Sequence, residues 1–341
     1  MLRVVHLVGS AASDFYADLS RLYAADALEA LADPARYEHV VAHVSPDGRW
    51  RFPADLDPAT IAAAPAVPLA QAVVHLVELA PDAVVPQMFC IPGMTTYRSL
   101  VELLGIPLLG NPADVMALGA HKARARAVVA SAGVRVPQGE LLRRGDEPTL
   151  RPPVVIKPVD TDNSLGLSLV REASEYAAAL AAAFAASDEV LVERYVELGR
   201  EVRCGVVVRD GELVALPLEE YAVGEHKPVR LHDDKISAGA DGLGLVAKDA
   251  AHAWIVDPTD PVTEAVWAAA KACHRAMGCR DYSLFDFRID PDGGPWFLEA
   301  GLYCSFARTS VVAVMARAAG IEVDELFAAV LAGALGRGCG A

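Results

Sequence analysis

Two acids near the C-terminus carry the clearest chemistry in this sequence. Asp286 lies in Leu284-Phe285-Asp286-Phe287-Arg288-Ile289-Asp290, and Glu299 in Trp296-Phe297-Leu298-Glu299-Ala300-Gly301. Each sits in an apolar run of strand character, and Pro291-Asp292-Gly293-Gly294 between them reads as a hairpin turn. A hairpin sets the two acids side by side in one pocket. Buried like charges repel and are costly unless something neutralises them, and a divalent cation does so directly. Hard oxygen ligands suit Mg²⁺, which takes one or two carboxylates and fills its other positions with water and substrate phosphates. The pair points to nucleotide chemistry. The plainer alternative is a hairpin whose acids pair with Arg288 or Arg308 and hold no metal.

The chain has 341 residues, 53% of them hydrophobic, enough for two or three α/β domains with real cores. A net charge of −15 argues against nucleic acid or an anionic membrane surface as partner. It leaves ATP open, because a few lysines and Mg²⁺ offset the phosphates locally. Cys90, Cys204, Cys273, Cys279, Cys304 and Cys339 form no Cys-x-x-Cys pair and read as reduced thiols in a cytoplasmic protein, not a zinc site. The first apolar run ends at Gly9, too short for a signal-peptide core, and Pro65, Pro68, His75 and Glu78 interrupt the apolar stretch 61–85, so no membrane span is expected.

Residues 1–112 alternate strand and helix: strands 3–8, 38–44, 83–90 and 106–109, and helices 17–31, 69–79 and 95–104. That grammar predicts a parallel, Rossmann-like sheet. Gly9-Ser10 lacks the Gly-x-Gly-x-x-Gly fingerprint, which disfavours a nicotinamide oxidoreductase. A helix over 114–132 closes at Gly133 and Pro137. Then come strand 154–159, turn 160–166, return strand 167–170, helix 173–186 and strand 190–196. Antiparallel strands 202–208 and 212–218 follow, and a polar, Gly-rich connection over 222–250 has the length of a lid. A helix 261–277, the carboxylate hairpin and helices 309–319 and 322–335 complete the chain. The expected divisions are 1–112, 113–200 and 201–341, the last holding the metal site and the lid.

Five segments stand in a telling order: Ile156-Lys157-Pro158, Ser164-Leu165-Gly166, Val190-Leu191-Val192-Glu193, Gly199-Arg200-Glu201 and Leu298-Glu299-Ala300. With them, the stretch from Leu103 to Ile321 resembles the ATP-grasp superfamily, and within it the D-alanine–D-alanine ligase family. The resemblance implies an α/β ATP-grasp fold behind a Rossmann-like N-terminal substrate domain, with the nucleotide between two sheet-containing subdomains. It implies an ADP-forming carbon–nitrogen ligase that uses ATP and Mg²⁺ on small-molecule substrates (an amino acid plus a carboxylate or carbonyl acceptor), with a homodimer as default.

The resemblance also implies roles. Lys122 and Lys157 would contact the α- and β-phosphates, and the loop Asn163-Ser164-Leu165-Gly166 would fold over them. Glu193 would accept from the adenine amine, the backbone at Arg194 and Val196 would meet the ring edge, and Glu201 would hold the ribose. Asp286 and Glu299 would hold Mg²⁺, and either Lys235 or Lys248 would reach the γ-phosphate from the lid. Ser310 would bind the carboxylate of the incoming amino acid, with Ser305 nearby in the acceptor segment. Asp14 or Asp18 stands where the family places a glutamate for the first substrate's amine. Structural alternatives exist: Lys122 with Arg124 and Arg126 as a solvated basic face, Glu201 as a surface acid, Ser310 as a helix cap. Cys304 reads as a pocket-lining thiol before a nucleophile.

Three departures from the family pattern bear on chemistry. Leu284 replaces an arginine that stabilises the oxyanion of the tetrahedral intermediate, and Gly301 replaces a metal-binding asparagine. A glycine-rich acceptor stretch becomes Leu302-Tyr303-Cys304-Ser305-Phe306-Ala307. The expectation is a specialised ligase that keeps the ATP half and changes the carbonyl half. The mycosporine-glycine amino acid ligases, which form an imine through an enol phosphate, are one such branch. A nucleotide-binding regulatory protein with degenerate catalysis and a true D-alanine–D-alanine ligase are the rival readings.

Overall fold

The computed structural model describes residues 1–161, 164–224, 226, 228–229, 238–239, 242–243 and 252–338. Its first part runs β1 (Leu2–Gly9), α1 (Asp14–Ala30), β2 (Tyr37–Val44), β3 (Trp50–Arg51), α2 (Pro58–Ala63), α3 (Leu69–Leu79), β4 (Ala83–Pro86), α4 (Ile91–Met94) and α5 (Thr96–Leu103). The sheet order is β3-β2-β1-β4, with β1 parallel to both β2 and β4 and only the edge strand β3 antiparallel. Central β1 is covered on both faces, and its sequence is mostly apolar from Val4 to Gly9, with a buried His6 held by Gln87 at 3.0 Å. The strand expected at 106–109 does not form: Leu108 makes a lone parallel bridge to Val84 before the chain leaves the sheet.

The second part comprises α6 (Ala113–Gly119), α7 (Lys122–Ser131), β5 (Gly139–Arg143), β6 (Val154–Pro158), β7 (Ser168–Val170), α8 (Tyr176–Ala186) and β8 (Glu189–Arg194). The strands pair antiparallel in the order β5-β8-β6-β7. Ala179, Ala183 and Phe184 of α8 pack on Val154, Ile156, Val190 and Val192. The single helix expected over 114–132 is two, broken at His121, which takes extended backbone and accepts from the Arg124 N–H at 3.4 Å as the cap of α7. The break has a purpose. It puts Lys122 in the first turn of α7, with its N–H on the Val159 carbonyl at 2.8 Å, beside the end of β6.

The third part contains β9 (Arg200–Arg209), β10 (Glu212–Ala215), β11 (Glu219–Tyr221), β12 (Ala238–Gly239), β13 (Gly242–Leu243), β14 (Ala253–Ile255), α9 (Thr263–Ala276), β15 (Tyr282–Ile289), β16 (Pro295–Ala300), α10 (Val311–Ala318) and α11 (Val323–Gly338). Its main sheet runs β14-β11-β9-β15-β16, with β10 paired to β9. All of β15 is buried, and its side chains alternate between two cores. Phe285, Phe287 and Ile289 pack with Val266, Ala270 and Cys273 of α9, while Tyr282 and Leu284 pack with Phe306, Met315 and Phe327. Strand alternation therefore puts Asp286 and Arg288 on the Leu284 face. The expected hairpin is present, and Gly294 N–H donates to Asp290 Oδ1 at 2.7 Å to hold its turn. Opposite the join of Asp286 and Phe287 the register slips past Leu298 of β16.

Among the described residues no helix is long and apolar enough to cross a membrane, and Cys90, Cys204, Cys273, Cys279 and Cys304 are free thiols. Gly166 has φ 73°, and a Cβ there would stand 2.8 Å from Pro158 Cγ. Gly166→Ala therefore combines left-handed backbone with a contact that must give way. We expect a loss of about 1–2 kcal/mol, read as a lower urea midpoint at unchanged slope; an unchanged midpoint would refute the packing role.

Candidate active site

The β5-β8-β6-β7 sheet faces the β9-β15-β16 side of the larger sheet across a cleft. Lys122, Lys157, Ser164, Glu193, Arg194, Val196, Glu201, Asp286 and Glu299 all line it. Residues spread over 178 positions thus meet in one place. Lys157, on β6, lies 2.7 Å from Glu193 on β8 and donates to the Leu298 carbonyl at 3.2 Å. The slip at Leu298 turns that carbonyl out of the ladder, so one lysine ties the two sheets together at the cleft floor.

Every acid of the cleft lies beside a cation. Glu193 is held between Lys157 and Arg126, whose Nε is 3.2 Å away. Glu201 pairs with Arg288 at 3.1 Å, and both are buried. Asp286 meets Arg203 Nε at 2.6 Å, and Glu299 stands 3.9 Å from Lys122. Lys122 also donates to the Thr161 carbonyl. Unpaired, any of these charges would be costly to bury, so they must balance one another or a ligand's charges.

Several structural alternatives are resolved by these contacts. Lys122 is largely buried, and Arg126 turns inward to the Pro137 carbonyl and Glu193, so α7 does not present a solvated basic face there. Glu201 is buried, not a surface acid. Arg288 pairs with Glu201, and Arg308 with Asp26 at 3.0 Å and Glu29 at 3.4 Å, whereas Asp286 pairs with Arg203 and Glu299 stands near Lys122. Sequence reasoning missed Arg203. Its signal was the parity of Glu201-Val202-Arg203 on one strand: Arg203 shares the face of Glu201.

Asp286 and Glu299 are direct cross-strand partners on β15 and β16. Among the described residues no cluster of three or more His, Cys, Asp or Glu side chains is placed to hold a metal. Two hard carboxylates with no nitrogen or sulfur donor fit Mg²⁺ completed by phosphate and water, and do not fit zinc. Position 301 adds nothing to the set. Gly301 N–H donates to the Leu284 carbonyl at 2.8 Å, and a Cβ at Gly301 would stand 3.7 Å from Leu284 Cδ2. The two departures from the family pattern are therefore in contact, and together they make one apolar patch beside Asp286.

The acceptor segment is buried. Ser305 accepts on its carbonyl from Gln87 Nε2 at 2.8 Å and on its hydroxyl from Ala307 N–H at 3.3 Å. Ser310 occupies the N-cap position of α10, yet its hydroxyl does not bond the first turn; it lies beside the Cys304 thiol. Burial pushes that thiol up to about 11, so it is protonated at neutral pH and not an activated nucleophile. Asp14 and Asp18 are exposed on α1, Asp18 faces Arg21 at 2.9 Å, and neither lines the cleft. Gly166 packs beneath the loop, on Pro158. Lys235, Lys248 and Asn163 lie outside the described residues.

Two sheets closing on a cleft of lysines and paired acids, behind a parallel N-terminal sheet, define an ATP-grasp protein. A family model described as D-ala D-ala ligase C-terminus matches residues 130–332. A D-alanine–D-alanine ligase of Methylorubrum populi is 32% identical over 263 residues, covering 74% of this chain and 80% of its own. In structure, the VanG D-Ala:D-Ser ligase of Enterococcus faecalis superposes with a TM-score of 0.79 at 22% identity, over 98% of this chain and 99% of its own. A D-alanine–D-alanine ligase of Bacillus anthracis complexed with ATP gives 0.74 at 19% identity, over 99% of each chain. The chain belongs to the D-alanine–D-alanine ligase family. It is an ADP-forming ATP-grasp ligase that makes carbon–nitrogen bonds, with ATP and Mg²⁺ as cofactors.

Glu299→Gln keeps the size of the side chain and removes its charge. We expect Mg²⁺-dependent turnover to fall at least ~100-fold with the melting temperature little changed; turnover within a few-fold of the parent would remove the metal role. Native protein treated with a maleimide near pH 7 should leave Cys304 unmodified on peptide mapping. Rapid labelling at that residue would contradict its burial.

Proposed function

We propose that this ligase phosphorylates a carboxylate or carbonyl oxygen of a first substrate other than D-alanine, and that the amine of an amino acid then displaces the phosphate. In this reading Lys122 and Lys157 hold the α- and β-phosphates, Glu193 with the Arg194 and Val196 backbone holds the adenine, and Glu201 holds the ribose. The Ser164 turn folds over the phosphates. Asp286 and Glu299 hold Mg²⁺, which offsets charge as the phosphoryl group moves. Ser310 receives the carboxylate of the amino acid, at the start of a helix where anions are favoured.

The observation that carries the changed substrate is the Leu284–Gly301 contact. Losing a preorganised oxyanion donor costs roughly two to three orders of magnitude in rate. An apolar patch at that place suits a site whose first substrate develops its charge elsewhere. A ring ketone activated as an enol phosphate, leading to an imine in specialised metabolism, is one chemistry of that kind. The second reading is a D-alanine–D-alanine ligase of cell-wall synthesis, which the relatives' own names favour. A degenerate nucleotide-binding regulator is the third, and the paired acids and buried lysines speak against it.

Phosphate release, screened over D- and L-amino acids singly, in pairs and with cyclic ketone partners, separates them. The proposal expects amino-acid-dependent ADP formation with a partner other than D-alanine, and little with D-alanine alone. Turnover of D-alanine with itself at ~1 s⁻¹ or faster would select the cell-wall reading. ATP binding without any substrate-dependent ADP would select the regulator. Leu284→Arg should bring no gain with D-alanine; a clear gain would mean that the ancestral site is only weakened.

A further inference from the structure

The sheet that floors the cleft carries its charges in one line. Cross-strand partners run from Glu219 on β11 to Arg203 on β9, Asp286 on β15 and Glu299 on β16. The lysines stand at the Glu299 end, with Lys122 3.9 Å from that acid and Lys157 donating to the neighbouring Leu298 carbonyl. Arg203 stands toward the other end, between Asp286 and Glu219, its Nε 2.6 Å from Asp286 Oδ1 and its guanidinium 5.2 Å from the Tyr221 ring centroid. That end faces the N-terminal part of the chain. The charge of Arg203 bears on Tyr23 of α1, which packs edge-on against Phe89 at 5.4 Å, and Phe89 in turn lies 5.4 Å from Tyr303. Arg203 is therefore the cation of this row that lies across the two acids from the lysines.

Position 284 is the diagonal neighbour of Arg203. Leu284 pairs with Gly205 and Asp286 with Arg203, on adjacent strands and one face. Diagonal neighbours lie ~7–8 Å apart, within reach of a long side chain. An arginine keeps its charge in a protein, and the Asp286 carboxylate and the Tyr221 ring hold this one in place as a fixed cation beside the two acids.

We propose that Arg203 is a catalytic residue, whose guanidinium holds the reacting oxygen of the first substrate and the γ-phosphoryl group transferred to it. The substrate side of this rests on the ligase reading above, and the phosphoryl side on the placing of the phosphates in that reading, not on the identity of the substrate. An anionic oxygen, carboxylate or enolate, bonds to the γ-phosphorus as the bond to the bridging oxygen breaks and ADP leaves with that electron pair. The amine nitrogen then bonds to the activated carbon, inorganic phosphate leaves with the carbon–oxygen pair, and the amine's proton passes to water. Arg203 gains and loses no proton. Its planar fork spans two oxygens at once and offsets charge that Leu284 cannot.

Product phosphate must rest where the transferred group arrives, so its binding to enzyme saturated with Mg·ADP is a direct probe. Calorimetric titration of inorganic phosphate should show Arg203→Gln weakening it by ~10-fold or more, with Mg·ADP affinity changed by no more than about twofold. Arg203→Lys should fall between, and Leu284→Arg added to Arg203→Gln should recover part of the loss. With the amino acid pair found by the screen, kcat of Arg203→Gln should drop by ~10²–10³ at an unchanged Mg²⁺ requirement. An arginine that merely braces Asp286 would instead raise the Mg²⁺ requirement, and kcat would return at high Mg²⁺; that result overturns the proposal. Unchanged phosphate affinity overturns it, and so does a parent enzyme that binds no phosphate beside Mg·ADP. If the glutamine variant does not fold, the lysine variant decides by the same titration. Failure of the ligase reading shows separately, as no amino-acid-dependent ADP from the parent, and leaves the phosphate titration standing.

Discussion

The cleft depends on one electrostatic constraint: four acids and five cations are crowded between two sheets, and none can be left alone. Among the described residues Glu193 pairs with Lys157 and Arg126, Glu201 with Arg288, and Asp286 with Arg203, while Glu299 stands near Lys122. The surrounding fold exists to hold these groups at fixed spacing. Apolar cores lie behind both sheets, with α8 behind the smaller and α9 behind the larger, so the charged faces are turned toward each other. In the proposed reading a triphosphate with its metal would enter such a set by exchange: its oxygens would take over lysine contacts that carboxylates hold, and its cation would take over the carboxylates.

Much of this was legible in the sequence, for physical reasons. A Pro-Asp-Gly-Gly turn between two strand-like runs was sufficient to predict the hairpin, but the register set by that turn would leave Leu298 opposite Asp286, and it is the slip at Leu298 that brings Glu299 there. The β1-β2-β4 parallel core was legible too, since strands rich in valine alternate there with helical segments. The break at His121 was not, because its one local mark, Gly119, is a lone glycine that a helix tolerates, and tertiary contact of Lys122 with Val159 decides the outcome. The short β3 and β11 also escaped, being too brief to show a period.

Within the site, the acids and lysines were found because the ordered segments around them are distinctive. Arg203 was not, although strand parity with Glu201 marked its face, and Arg126 read as part of a solvated basic face because neighbour types alone do not separate a buried arginine from an exposed one. The contact between Leu284 and Gly301 could not be read either. In sequence they are two separate losses; in space, the backbone bond between them makes them a single remodelled surface. A cation lost from one strand and another standing on the adjacent strand is a change that only the sheet register reveals.

The slipped register at Leu298 has a mechanical consequence. A carbonyl released from its ladder and seized by Lys157 pins the smaller sheet to the larger at the deepest point between them. Rigid-body gaping of the two sheets must either swing about that fulcrum or sever it. A lysine that binds phosphate would thus also set where the jaws pivot, so that ligand arrival and jaw angle are governed by the same ammonium group.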